Sequence, residues 1–177
     1  IGILATFSNE IAETIGVSEK INPGDSIMWC YVGIAAGDLL SGFISQGLAS
    51  RKKAVALMMA FTLMCCLYYL FSGITNSSVF YTVCVLMGFG SGFWAMFVTI
   101  GAEQFGTNIR ATVATTVPNM VRGSLPLISL LFTWLQTVTG DYLKAGWITG
   151  MVVLPIAIIA AILTEETFHK NLNYLET

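Results

Sequence analysis

The sequence predicts an all-α membrane protein, and three observations predict it. Only 10% of the 177 residues are charged and 55% are hydrophobic, whereas a soluble domain carries about 25% charged residues. Mean hydropathy is +0.77. The apolar residues gather in runs of about 20, the length a helix needs to cross a hydrocarbon core about 30 Å thick, with turn or charge signals between them.

The chain opens Ile1-Gly2-Ile3-Leu4 with neither an initiator Met nor a positively charged n-region, so it reads as starting inside a helix. That partial span covers about 1–17. A polar loop over 18–26 follows, turning at Asn22-Pro23-Gly24-Asp25. Complete spans are expected at about 27–49, 54–71, 79–102, 111–138 and 145–163, with a tail over 164–177. Loops are short, so neighbours should pack antiparallel, and nothing marks a second domain.

Positive charge sets the expected orientation. Arg51, Lys52 and Lys53 join the second and third spans and Arg110 precedes the fifth, which places the loops at 50–53 and 103–110 in the cytoplasm. The tail, with Glu165, Glu166, His169 and Lys170, returns to that side. A net charge of −2 and no basic run beyond Arg51-Lys52-Lys53 argue against nucleic acid. Cys30, Cys65, Cys66 and Cys84 lie inside apolar segments without a C-x-x-C pair, so they read as small buried hydrophobes; no metal site and no cofactor are expected. His169 is the single histidine and neither H-E-x-x-H nor G-x-S-x-G occurs, so an intramembrane enzyme is not expected.

Arg122 is the only charged residue between Ala111 and Gly140. An ionisable group at mid-span costs roughly 2.5–3.5 kcal/mol even by insertion scales, so it normally faces a bundle interior or a water-filled pathway. It belongs to a polar stripe, Thr112, Thr115, Asn119, Arg122, Ser129, Thr133 and Gln136, at steps of three and four, with Pro118 and Pro126 flanking the arginine. Each proline removes a backbone donor and favours a kink. Helix packing accounts for serine and threonine in such a stripe but not for arginine.

In the second span Gly33, Gly37, Ser41, Ser45 and Ala49 form a ridge for close helix approach. Asp38 lies beside it, with Tyr31, Ser41 and Gly42 on its face. Asp38 either caps a neighbouring helix or serves as proton carrier or counter-ion to Arg122. In the fourth span Gly88, Gly90, Ser91, Gly92 and Ala95 favour close packing, while Trp94 is either a cavity wall or core. Asn9, Glu10 and Glu13 lie in or just beyond the first helix: Glu10 reaches the cavity if that helix runs to Val17 and is a solvated loop charge if it ends at Phe7.

The segment Glu103-Gln104-Phe105-Gly106-Thr107-Asn108-Ile109-Arg110 resembles the loop between the tenth and eleventh helices of major facilitator superfamily transporters, E-x-F-[PG]-T-x-x-R. Thr107 or Asn108 can cap the following span, and Glu103 can pair with Arg110 across the turn. A second match, Gly42 through Lys53, is similar to the basic loop after the eighth helix, G-x-x-x-D-R-x-G-R-R; here Gln46 stands where the acid belongs and Gly47 where the first arginine belongs. The resemblance implies the C-terminal six-helix bundle of a twelve-helix transporter, its first helix truncated, working with an N-terminal six-helix half of the same protein. Ala102 and Gly106 depart from the sugar-porter pattern, which turns the resemblance toward organic-acid and metabolite symporters.

The expectation is therefore a multi-pass protein of the cell (inner) membrane that moves a small organic solute by alternating access, a proton-coupled symporter of an organic anion. Arg122 and Asn119 would hold the anion, Asp38 would carry the proton, and Trp94, Tyr31 and Glu10 would line the site. Glu103, Thr107, Arg110 and Arg51 would form the cytoplasmic gate. The alternatives are efflux of cations or drugs through Asp38 and Glu10, with Arg122 structural, and a non-transporting scaffold or receptor whose stripe packs on a partner.

Overall fold

Helix starts are written locally. Asn22 Oδ1 accepts the Gly24 N–H at 3.0 Å ahead of Pro23, Asn76 Oδ1 accepts that of Ser78 at 2.8 Å, and Asp141 Oδ1 accepts that of Leu143 at 2.8 Å. In the computed structural model, which describes residues 1–170, 173 and 175, these caps open three of eight helices. The elements are α1 (Gly2–Thr6), α2 (Ser8–Ile15), α3 (Pro23–Gly47), α4 (Arg51–Phe71), α5 (Ser77–Ser91), α6 (Trp94–Glu103), α7 (Arg110–Thr139) and α8 (Tyr142–Leu163). No strand occurs among the described residues.

Among the described residues four segments are long and apolar enough to cross a membrane: Pro23–Gly47, Arg51–Phe71, Ser77–Glu103 and Tyr142–Leu163. Two expected spans do not qualify. The first is short and is divided at Phe7 into α1 and α2. The fifth, α7, is an unbroken 30-residue helix running through Pro118 and Pro126, about 45 Å at 1.5 Å per residue, but its polar stripe dilutes its hydropathy. Large apolar side chains cover the outside, Leu39 being 74% and Leu127 69% exposed. That is the inverse of a soluble surface and suits a protein embedded in hydrocarbon.

Two boundaries differ from expectation for a physical reason. The basic triplet is not a loop: Ser50 Oγ accepts the Lys53 N–H at 3.1 Å, so Arg51, Lys52 and Lys53 form the first turn of α4. The fourth span is not one helix: it breaks at Gly92 and Phe93, and α6 starts anew at Trp94.

The break lies where α3 and α5 cross almost backbone to backbone. A Cβ on Gly33 would sit 2.0 Å from Val85 O, on Gly37 2.2 Å from Phe89 O, and on Gly88 2.1 Å from Cys30 O. Gly92 lies against Ile34 and Gly37 in the same way, 2.5 Å from Ile34 O. The small-residue ridge of α3 is therefore a packing seam. Beside it Tyr69, Phe80, Ile11, Cys84 and Met87 fill one core, and Tyr69 Oη–H donates to Leu4 O at 3.1 Å, tying α4 to α1. Cys30, Cys65 and Cys84 are buried, Cys66 partly so, and all four are free thiols.

Candidate functional site

The break in the fourth span leaves the first N–H groups of α6 without helical acceptors, and the helix dipole makes that end positive. Asp38, half-buried on α3, meets it: the Ala95 N–H donates to Asp38 Oδ1 at 3.1 Å. The glycine seam enforces this juxtaposition, since the Cβ position of Gly92 is 2.7 Å from Asp38 N. Of the two readings open from sequence, Asp38 makes the helix-capping contact.

Trp94, the first residue of α6, packs on Phe97 with ring centroids 5.7 Å apart. The Arg122 guanidinium from α7 lies over the Trp94 ring, 5.6 Å from its centroid, a cation–π placement. Arg122 Nη1–H donates to Asn119 Oδ1 at 3.5 Å, one turn back on the same helix. Arg122 and Asn119 are exposed and Trp94 half-buried. Asp38, Trp94, Asn119 and Arg122 thus share one neighbourhood, with the tryptophan and the α6 terminus linking the two charges. No ion pair joins Asp38 to Arg122 among the described residues: Asp38 Oδ1 accepts the Ala95 N–H, and the guanidinium lies over the Trp94 ring beside Asn119.

The rest of the α7 stripe is quieter than its polarity implies. Thr115 Oγ1–H donates to Thr112 O at 2.9 Å and Thr133 Oγ1–H to Ser129 O at 3.0 Å. Such hydroxyls are satisfied by their own helix, whereas Arg122 reaches beyond it to the Trp94 ring. Tyr31 is 67% exposed two turns along α3 and does not join the cluster. Glu10 belongs to α2, which ends at Ile15, so it is no loop residue; its Oε2 is buried and has no hydrogen-bond partner among the described residues.

A second cluster forms at the basic end of the bundle, with a different pairing from the expected one. Glu103, only 9% exposed, accepts Arg51 Nη2–H at 3.2 Å and Thr167 Oγ1–H at 2.6 Å. Arg51 also donates to Ser45 Oγ at 3.2 Å and lies 5.4 Å from the centroid of the Phe168 ring. Arg110 instead donates to the carbonyls of Ala102 and Phe105, each at 3.2 Å, and fastens the turn that holds Thr107. Neither Thr107 nor Asn108 caps α7, whose preceding residue is Ile109 and whose start has no side-chain cap.

Three cations in the first turn of α4 oppose its dipole. The compensation comes from the tail: Glu166 accepts the Ser50 hydroxyl, the Arg51 N–H at 2.9 Å and the Lys52 N–H at 3.3 Å. Thr167 and Phe168 N–H groups donate to the same carboxylate at 3.0 and 3.1 Å. The sequence places this residue only in a tail on the cytoplasmic side, without a partner named; Gln46, at the position of the motif's acid, is exposed. The available signal was an acid following the last span and an α4 start crowded with cations.

Partial burial pushes the Glu166 carboxyl up, but the Ser50 hydroxyl and the Phe168, Arg51 and Lys52 N–H groups outweigh it and hold it down at about 2, against 4.5 ordinarily. A lowered value in the docked state means that docking gains from the charge in full above about pH 4.5 and loses that gain as pH falls toward about 2. Hydrogen-exchange protection of residues 164–170, corrected for intrinsic rate, is therefore expected to be flat from pH 7 to 5 and to drop below pH 4.5; Glu166→Gln should remove the pH dependence. Protection unchanged down to pH 2.5 would refute the assignment.

Scanned against protein-family models, curated proteins and solved structures, the chain matches none.

Proposed function

We propose that this chain is the C-terminal six-helix half of a major facilitator superfamily transporter, a proton-coupled symporter of a small organic anion in the cell membrane. The observation that carries the reading is the exposed Arg122–Asn119 pair set over Trp94, beside a helix break whose positive end holds Asp38. A guanidinium presents a planar fork matched to a carboxylate, and a broken transmembrane helix aimed at an anionic group is a recurring transporter device.

Asp38 fills the α6 terminus as a carboxylate ligand would. When Asp38 takes up a proton its charge-assisted bond to the Ala95 N–H weakens, and the terminus becomes free for a substrate carboxylate already drawn to Arg122. Proton and anion then load together, and a preceding N-terminal half rocks across the loaded site. The Arg51–Glu103–Thr167 cluster, with Arg110 beside it, is the latch of the cytoplasmic mouth, and the start of α4 and the turn at 103–110 face that side.

Asp38→Asn is expected to retain counterflow of a bound carboxylate in vesicles while losing accumulation driven by a proton gradient, by tenfold or more. Gradient-driven accumulation at the native level would show that Asp38 does not carry the proton.

A further inference from the structure

The basic end of the bundle holds a cleft of about 430 Å³ lined from α4, α6, α7 and α8. Its walls are apolar along their length, with Val55 and Met59 from α4, Phe97 and Ile100 from α6, and the small Ala157 and Ala160 from α8. Polar groups occur only toward one end, at Lys52, Gln104 and Thr164.

The shape has a direction. Lys52, Val55 and Met59 follow one face of α4 over seven residues, about 10 Å, and Phe93 to Gln104 spans eleven residues, about 16 Å. The cleft thus runs with the helix axes from headgroup level to about the middle of a hydrocarbon core about 30 Å thick, one leaflet deep. Ala160 is exposed, so it opens on the lipid-facing side of α8.

The charge at its mouth is selective. Glu103 neutralises Arg51, Glu166 is spent on backbone N–H groups, and Glu165 pairs with Lys170 at 3.8 Å. Lys52 gives one Nζ donor to Ile162 O and keeps two, and Lys53 is exposed. Among the described residues neither lysine has a carboxylate partner within ion-pair distance. A long apolar slot in one leaflet, ending at Lys52 with the exposed Lys53 next in the chain and neither ammonium in an ion pair among the described residues, matches one kind of molecule.

We infer that this cleft binds an anionic phospholipid, one acyl chain lying between α4 and α8 and the phosphate at Lys52 and Lys53. A lysine near a membrane surface favours anionic lipid severalfold. The site needs only that the helices lie in a bilayer, so it stands or falls separately from the transport reading.

The test is native mass spectrometry of the full chain in detergent with phosphatidylglycerol and phosphatidylcholine of identical acyl chains. Retention of one phosphatidylglycerol with about tenfold preference is expected, falling to near unity in Lys52→Gln/Lys53→Gln. Ala160→Phe, which fills the slot, should lose the lipid, whereas Val152→Phe on the same helix outside the cleft should keep it. Should Ala160→Phe fail to fold, the smaller Ala157→Leu asks the same question. Undiminished retention in the slot-filling variant overturns the proposal, as does a preference indifferent to the two lysines. Displacement by glycerol phosphate at equal concentration overturns it too, since it would reveal an anion site without use for the chain.

Discussion

If Arg122 holds an anion as proposed, Arg122→Gln is expected to weaken binding of a small carboxylate by about 10- to 100-fold, the equivalent of the roughly 1.5–3 kcal/mol carried by a hydrogen bond to a charged group. The guanidinium is exposed, so no buried partner is orphaned and the fold should tolerate the change. A thermal-shift titration with small carboxylates reads this directly, because a ligand of the native state raises apparent stability by mass action. Asn119→Ala should cost less, about 1 kcal/mol, since it removes only the 3.5 Å contact that orients the guanidinium and leaves the charge of Arg122 in place. Native carboxylate affinity in Arg122→Gln would remove the anion site and leave Arg122 a structural residue over Trp94.

The largest effect on stability is expected from one methyl group. Gly33→Ala would put a Cβ 2.0 Å from Val85 O, a main-chain atom that no rotamer change can move aside. The two helices must separate along their whole seam, at a cost of at least about 3 kcal/mol. Gly42→Ala on the same helix meets nothing within 4 Å and should be neutral or gain about 0.5–1 kcal/mol. The readout is the apparent melting temperature and the folded yield of the two variants. Equal behaviour would mean that α3 and α5 do not depend on this contact. Because the seam also brings Asp38 to Ala95, Gly33→Ala should disturb the Asp38 contact with the α6 terminus as well as the fold.

The spans were legible where composition alone dictates them. A helix in hydrocarbon must be apolar for its whole length, so the edges of α3, α4 and α8 show in the sequence to within a few residues. Gly92 was not legible as a break: in a run of small residues, close packing and interruption look alike. Only the approach of α3 decides between them, because it packs on the glycines and supplies a carboxylate for the N–H groups set free.

The candidate site divides the same way. Arg122 stands out in the sequence because a lone charge in an apolar helix needs a reason. That it meets Trp94 and Asn119 rather than Asp38, and that the α7 hydroxyls bond back to their own helix, depends on rotations and depths that no spacing encodes. The Arg51–Glu103 pair joins residues 52 apart and the Ser50–Glu166 contact residues 116 apart. What the sequence determined by itself is an all-helical chain for hydrocarbon surroundings, with one conspicuous cation, because apolar length and isolated charge are local properties. The tertiary structure decided which groups share a site, because capping, pairing and cation–π contact operate over a few ångströms and join helices far apart in the chain.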